Sequence, residues 1–406
     1  MSACLIPALS AVTTPADTPA EPITESEQAG LLLALTAVPD PRSTRGLRYP
    51  LAGLLNVAVC AVMAGASSVT AIADWLHDLD DIARARLGFL GRVPATTTVW
   101  RLLIRVDADL LSTILAGWLH ISTRPANKPR RPRYRQVIAV DGKTVRGARR
   151  ADGTQVHLLS ALDTTTGIVL AQVTVSAKSN EIPAFKPLLD AVEQVLGSLK
   201  GLIFVADAFH TQVNHANEIA VRGAHLLIPV KGNQPTLFSQ LTTLPWAQIP
   251  VGHQTRDRGH GRSETRTVKA VTLHTPGGIG FPHAEQAIRI TRTRTITKTG
   301  RTSRETAYLT ISLPTADAHP ADLQQWACSE WLIENLVHHV RDVTFREDSH
   351  QARTGNGPAV MATLRNAAVG FHRIRGDTNI ARATRRAGRR PHDLITAVAS
   401  SNPRTQ

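Results

Sequence analysis

Two acidic side chains follow apolar runs in a way that demands a partner for their charge. Asp141 is predicted to end the first buried strand, directly after VIAV, and Asp207 to end the fourth, directly after LIFVA. An ionised carboxylate beside a buried strand is costly unless it is paired, and Mg²⁺ is a suitable partner because it prefers hard carboxylate oxygens. Carboxylates from separate elements can hold two such ions, which activate a nucleophile and stabilise a leaving oxygen. Asp141 and Asp207 are therefore candidate metal ligands.

A third candidate acid lies on a helix predicted over 320–342. Polar side chains recur there every four residues, at Glu330, Glu334, His338 and Asp342. This spacing places them on one slowly drifting helix face, where Glu334 could project toward the edge of a sheet. The same spacing is typical of a solvated helix face, and for Glu334 taken alone that simpler interpretation is favoured.

The elements around these acids are predicted from hydrophobic periodicity. From 137 onward, VIAVDG, VHLLSALD and GIVLAQVTV have the pattern of strands, and alternating helices and strands follow as far as HLLIPVK. The order β-β-β-α-β-α-β is that of an RNase H-like core, an α/β fold with a mixed sheet flanked by helices. Thr-rich alternating segments at about 235–313 predict a β-rich insertion before the last catalytic helix.

The remaining chain predicts further domains on either side of this core. The region before it is helical, since apolar residues recur there at intervals of three to four, and it is expected to form a separate N-terminal all-α domain. The predicted boundaries are a disordered leader at 1–28, the helical domain at 29–122, a basic linker at 123–136, the catalytic domain at 137–376 and a loose Arg-rich tail at 377–406.

Composition favours a polyanionic partner. The 406 residues include 46 Lys and Arg against 32 Asp and Glu, a formal charge of +14, which suits nucleic acid better than an anionic membrane surface. Solubility alone is the alternative explanation. The cysteines lack metal-ligand spacing, which argues against a zinc finger, and no secretion signal or membrane span is predicted. We therefore expect a cytoplasmic protein that joins the nucleoid when bound to DNA.

Charge is concentrated in two segments. The linker contains a cluster of five cations, Lys128, Arg130, Arg131, Arg133 and Arg135, and 251–304 carries eleven Lys and Arg against three acids. Both segments could contact phosphates. A solvated hinge would explain the charge of the linker equally well, and a solvated face could explain part of the charge of 251–304.

Several consecutive motifs resemble one family. They are PDPRSTRGLRYPLAGLLNVAVCAVMAGASSVTAIADW, AVDGKTVRGA, HLLSALD with AKSNEIPAF, FVADAFHTQ, LIPVKGNQPTL, GHGRSETR and WLIENLVHHVRDVTFREDSHQARTGNGP. Their order and spacing resemble the H-repeat-associated insertion-sequence transposases, a branch of the DDE transposases, over nearly the whole chain. Joint occurrence in order is far more specific than any single fragment.

This resemblance implies metal-binding and catalytic roles for Asp141, Asp207 and Glu334. It implies two Mg²⁺ ions per site, with Mn²⁺ as a substitute, and double-stranded DNA partners in the form of transposon terminal repeats and target DNA. Handling two DNA ends also suggests a homodimer in the DNA complex. The chain departs from the family pattern at Cys328, Glu330 and His339.

Further residues in the matched motifs receive weaker predictions. Phosphate contacts are predicted for Lys143, Arg146, Lys178, Lys231, Arg258 and Arg262. Auxiliary roles are predicted for His210, Gln212, Asn335 and His338. Surface charge and ordinary loop hydrogen bonds are the competing explanations for both sets.

The predicted function is transposition, in which a water hydrolyses a phosphodiester at the element's end and the freed 3′-hydroxyl attacks target DNA. Two alternatives remain open, a transposase-derived DNA-binding protein without catalysis and a metal-dependent nuclease without strand transfer. Glu330 is expected to repel the DNA backbone rather than to bind metal, because three acids already suffice for two ions.

Overall fold

The computed structural model describes residues 30–43, 45, 47–89, 91–123, 135–150, 152–176, 179–273 and 278–399. The predicted leader, most of the predicted linker and Lys178 lie outside these residues. The chain divides into two compact units. Unit 1 comprises Met1–Lys128, Gly142–Gly197 and Glu334–Gln406, and unit 2 comprises Pro129–Asp141 and Ser198–Ile333.

Unit 1 begins with six helices: α1 (Gly30–Leu35), α2 (Leu51–Met63), α3 (Val69–Asp78), α4 (Asp81–Arg86), α5 (Thr96–Leu103) and α6 (Ala108–Ser122). Helix α2 is buried along nearly its whole length, as its continuous apolar run predicts. The side chain of Asp107 caps α6 by accepting hydrogen bonds from the backbone of Asp109 and Leu110, each at 3.0 Å. Among the described helices, none is long and apolar enough to cross a bilayer.

The strands of unit 1 are β2 (Val156–Asp163) and β3 (Ile168–Val175), an antiparallel hairpin. Its turn is closed by Asp163, whose carboxylate accepts a hydrogen bond from Thr165 N at 2.9 Å. Helices α6, α7 (Glu181–Leu196) and α12 (Gly357–Ile374) pack against β3. The N-terminal helices thus share one compact unit with this hairpin, and a separate helical domain stays a prediction.

Unit 2 contains the start of β1 (Val137–Val145), followed by β4 (Ile203–Val205), α8 (Val213–Val221), β5 (His225–Val230) and α9 (Pro235–Thr242). Four long strands come next: β6 (His253–Gly259), β7 (Arg262–Thr272), β8 (Gln286–Ile296) and β9 (Thr302–Ile311). Strand β4 pairs in parallel with both β1 and β5, whereas β9 pairs antiparallel with β5. The inserted strands therefore continue the sheet of unit 2.

Within unit 2 the strands follow the order β1-β4-β5-β9-β8-β7-β6, and in unit 1 β3 neighbours β2. The chain is an α/β protein with a mixed sheet and flanking helices, and the predicted element order from β1 to β5 is confirmed. Two details differ from expectation. Asp141 lies within β1 rather than at its end, and β4 stops two residues before Asp207.

The helix predicted over 320–342 is interrupted. It consists of α10 (Pro320–Ile333), a π-helical turn (Glu334–His338) and α11 (His339–Thr344). Since π turns add a residue per turn, the regular four-residue stripe predicted from the sequence breaks at Glu334, and such turns are frequent at functional sites.

The expectation of a loose Arg-rich tail is wrong for residues 380–399. Helices α13 (Ile380–Arg389) and α14 (Pro391–Ala399) occupy them. Ile380 and Ala383 are buried on one side of α13 while most of its arginines stay in solvent. The apolar residues are few, but their helical spacing lets each helix bury one face.

Candidate functional site

Asp141 and Asp207 occupy equivalent positions on neighbouring parallel strands of unit 2. Ala139 of β1 pairs with Val205 of β4, so each aspartate lies two residues beyond this pair. Parallel strands share one direction, and both aspartates therefore lie toward the same carboxyl-terminal end of the sheet. The preceding residues of both strands are fully buried, which fixes the backbone that carries the two carboxylates.

Glu330 joins these aspartates from α10, which packs on β4 and β5 within the same unit. Burial, together with the negative charges of Asp207 and Asp141, raises the pKa of Glu330 to about 7, while Lys231 opposes the shift. Three carboxylates thus share one electrostatic environment in unit 2. From the sequence alone, Glu330 is expected to repel the DNA backbone.

The loop that carries Asp207 is held by local hydrogen bonds. Asp207 Oδ1 accepts from Phe209 N at 2.9 Å and caps a short 3₁₀ turn. The side chain of Asn233 donates to the carbonyl of Ala208, and that of Gln234 donates to the carbonyl of Thr211, both at 2.7 Å. The segment KGNQP after β5 therefore holds the segment that follows β4.

Glu334 opens the π-helical turn at the start of a unit 1 segment. Its Oε2 lies 3.1 Å from His338 Nδ1. This hydrogen bond lowers the pKa of Glu334, and the charges of His338, Lys143 and His339 lower it further. Glu334 is about half exposed whereas His338 is buried, so a buried imidazole holds a carboxylate that remains open to solvent.

Lys143 is engaged by carboxylates rather than projecting freely. Its Nζ lies 2.7 Å from Asp342 Oδ2 and 3.9 Å from Asp348 Oδ1, and only 10% of the side chain is exposed. Arg146 approaches Asp348 at 3.8 Å but stays 78% exposed. Of these two predicted phosphate contacts, Arg146 is thus the more accessible one.

Gly142, which follows Asp141, lies in close contact with two side chains. A Cβ at this position would collide with the Glu181 carboxylate and the His157 ring. These two side chains contact each other at 2.7 Å, and His157 Nδ1 lies 2.9 Å from Thr144 Oγ1. The glycine of the motif AVDGK therefore permits Glu181 and His157 to pack against the strand backbone.

A buried ion network supports the end of the 320–350 region within unit 1. Glu347 is fully buried between Arg341, at 2.7 Å, and Arg365, at 2.9 Å. Arg341 also donates to Gln172, and Arg365 donates to the carbonyl of Ser67. The network connects α11 and α12 to β3 and to the loop after α2. No sequence signal beyond the motif itself indicated this burial.

The other predicted site residues are scattered. His210 is buried, with its ring 5.3 Å from that of His215. Gln212 donates to the carbonyl of Phe209, and Asn335 is exposed in the π-helical turn. Arg258 and Arg262 lie on adjacent strands of the insertion. Their proposed roles remain predictions.

Carboxylates at the same level of two neighbouring parallel strands, Asp141 within β1 and Asp207 just beyond β4, form a donor set of the kind that binds divalent cations. Comparisons with known proteins identify the family of the chain. A family model described as a transposase DDE domain matches residues 132–371, and one described as DDE_Tnp_1-associated matches 32–119. The chain belongs to the transposase DDE domain family.

Named relatives support the resemblance to H-repeat-associated transposases. A putative transposase, YncI, of Escherichia coli O157:H7 is 27% identical over 84% of this chain and 87% of its own length. The H repeat-associated putative transposase YhhI of Escherichia coli K12 is 26% identical over 84% of this chain and 89% of its own. A piggyBac transposase in a synaptic complex with hairpin DNA has a TM-score of 0.39 at 10% identity, over 92% of this chain and 76% of that one. The family assignment rests on the sequence matches.

Proposed function

We propose that this protein is an insertion-sequence transposase with an RNase H-like core, which cleaves DNA at transposon ends and joins the freed 3′-hydroxyl to target DNA. One observation carries the proposal beyond family membership. Asp141 and Asp207 lie at the same level of two parallel strands, and a third carboxylate, Glu330, interacts electrostatically with both. An acidic group of this kind is costly without a cation.

The residues fit divalent metal ions, because carboxylate oxygens are the hard ligands that Mg²⁺ and Mn²⁺ prefer. In the proposal, Asp141, Asp207 and Glu334 hold two ions. When bound, these ions would favour the attacking water or 3′-hydroxyl and stabilise the leaving oxygen.

The chain's own residues perform the remaining tasks. The buried strands β1 and β4 fix the aspartates, and the hydrogen bonds from Asn233 and Gln234 keep the loop after Asp207 in place. His338 orients Glu334 and keeps it ionised by lowering its pKa. No serine or cysteine nucleophile is required, since both chemical steps are direct phosphoryl transfers.

The isosteric variants Asp141→Asn, Asp207→Asn and Glu334→Gln test the assignment. Each removes a ligand charge while keeping side-chain shape, so each is expected to reduce Mg²⁺-dependent cleavage of transposon-end DNA by at least about 100-fold. DNA affinity should stay within about threefold, because none of these residues is proposed to contact phosphate directly. The measurements are a cleavage assay and a DNA-binding titration on the same preparations.

Asp190→Asn is the matched control. Asp190 lies on α7 with about half of its side chain exposed, and its variant should cleave like the unmodified chain. Normal cleavage by any folded triad variant would remove that residue from the proposed site. Cleavage without joining of the 3′-end would instead favour a metal-dependent nuclease, and DNA binding without cleavage by the unmodified chain would favour a non-catalytic derivative.

A further inference from the structure

Strands β6 to β9 form an antiparallel ribbon with two faces that the strand register defines. Residues paired directly across antiparallel strands project to the same side, and successive residues project to opposite sides. Glu264 pairs with Arg294, whereas the next residue, Thr265, pairs with Thr293. The complete register assigns each strand residue of the ribbon to one of these two faces.

One face, which we call the acid face, holds all three carboxylates of the ribbon strands: Asp257, Glu264 and Glu305. Its central cations are already paired. Buried Glu264 contacts Arg266 directly, lies 2.7 Å from Arg292 and lies 3.7 Å from Arg294. The end of this face nearest the sheet core is covered by α10, where Gln324 donates to Thr255 at 2.8 Å.

The opposite face, which we call the hydroxyl face, has a different composition. Its cations are Arg256, Arg258, Lys269, Arg289 and Arg304. Its hydroxyl side chains are Ser263, Thr265, Thr267, Thr291, Thr293, Thr295, Thr302, Thr306, Tyr308 and Thr310. The structure describes every residue of these four strands, and on this face none of them is acidic.

The hydroxyl face is open at its outer end. Near the sheet core, Trp246 covers it, since Lys269 donates to the Trp246 carbonyl and Arg289 lies 5.3 Å from the indole ring centre. Farther out, Arg256, Arg258 and Arg304 are exposed. The free end of the ribbon thus presents three arginines around a surface of threonines.

One row of residues runs straight across this open end: Arg256, Thr265, Thr293 and Arg304 are paired in succession. Three strand spacings separate the two arginines, which amounts to about 14 Å between their Cα atoms. The major groove of DNA is about 12 Å wide. Arginines on both edges of the ribbon therefore match phosphates on the two sides of a groove, with hydroxyl donors between them.

We propose that the hydroxyl face of β6–β9 binds the phosphate backbone of double-stranded DNA. This inference rests on the proposed function and names the surface by which the protein holds its substrate. The preference of threonine for strands explains its abundance, but it does not explain why all three acids lie on the other face. Guanidinium groups and hydroxyls are typical phosphate ligands that position a protein on a duplex without reading its sequence.

Paired charge variants separate the two faces. Arg256→Gln/Arg304→Gln removes two cations from the hydroxyl face, and Arg292→Gln/Arg294→Gln removes two from the acid face. We expect the first variant to bind duplex DNA about tenfold more weakly at moderate salt. The negative slope of its log affinity against log salt concentration should become shallower by about two, because two phosphate contacts are lost. The acid-face variant should stay within about threefold of the unmodified chain.

The neutral variant Thr265→Val/Thr293→Val adds a second test. It keeps every charge, so it should weaken binding by a few-fold while leaving the salt slope unchanged. Equal losses of DNA affinity in both charge variants would contradict the proposal. They would show that the net positive charge of the protein, rather than one face of the ribbon, binds DNA. If the unmodified chain bound no DNA, the proposed function itself would fail.

A measurement on the unmodified chain avoids any dependence on variant folding. Arginine modification by phenylglyoxal, followed by peptide mass spectrometry, should be slowed by duplex DNA at Arg256 and Arg304 and remain unchanged at Arg294. Equal protection of all three positions, or of none, would overturn the assignment of this face.

Discussion

At the residue scale, Glu330 is the clearest case of structure changing an interpretation. The sequence showed an acid one turn before Glu334, and we expected it to repel DNA because three ligands already suffice. The structure instead relates it to Asp141 and Asp207 through burial and shared charge within unit 2. Sequence could supply the spacing along the helix but not the direction from which α10 meets the strands.

Glu330 should make stability depend on pH in the metal-free protein. Its pKa rises from 4.5 to about 7 on folding, so its contribution is most favourable below pH 4.5 and is lost as the pH rises through 7. At pH 8, Glu330→Gln should therefore have a higher free energy of unfolding than the unmodified chain, by up to about 3 kcal/mol, as measured by urea titration. Near pH 4.5 the difference should largely disappear.

Added Mg²⁺ provides the control for this prediction. A cation beside the three carboxylates would stabilise ionised Glu330, and the advantage of Glu330→Gln at pH 8 should then shrink. An advantage that is absent at pH 8, or that is the same at pH 4.5 and pH 8, would show that Glu330 does not share the charge of the aspartates.

At the element scale, periodicity predicted most of the catalytic region. The apolar runs of β1 and β5 and the helical spacing of α7 gave the correct order of elements. The interruption at Glu334 was not predictable, because a π turn requires only one additional residue and leaves no change in hydrophobic pattern. The helices α13 and α14 were missed because their many arginines concealed a narrow apolar face.

The packing of α11 and α12 should depend on Glu347. Its carboxylate compensates two buried guanidinium groups, and breaking such a network by removing one partner costs about 3–5 kcal/mol. Glu347→Gln should therefore lower the free energy of unfolding by that amount in urea titrations. Asp393→Asn, at an exposed pair with Arg390, should cost no more than about 0.5 kcal/mol. Equal effects from the two variants would contradict the argument.

The same network predicts a distinct pH response. Burial alone would raise the pKa of Glu347, but Arg341 and Arg365 outweigh it and hold the value at about 2. The ionised form is thus favoured in the folded state. Its contribution is complete above pH 4.5 and declines as the pH falls toward 2, so the difference between the unmodified chain and Glu347→Gln should narrow over this range.

At the scale of the whole molecule, composition indicated a polyanionic partner without identifying a surface. The net charge of +14 does not by itself indicate which surface is cationic, and the strand register was needed to separate the neutralised cations near Glu264 from the exposed arginines of the hydroxyl face. Family membership was predictable because ordered motifs extend over most of the chain. Contacts such as those of Glu347 and Glu181 depend on tertiary packing, which the spacing of residues does not encode.

The most direct test of the central claim is a strand-transfer assay. Purified full-length protein would be mixed with Mg²⁺, a target plasmid and a labelled fragment carrying the end of the DNA element that flanks its gene. We expect the labelled 3′-end to become covalently joined to target DNA, and we expect Asp141→Asn and Asp207→Asn to abolish joining while Asp190→Asn does not. Failure of the unmodified protein to join the 3′-end under conditions in which it binds the fragment, or joining that persists in both aspartate variants, would contradict the account.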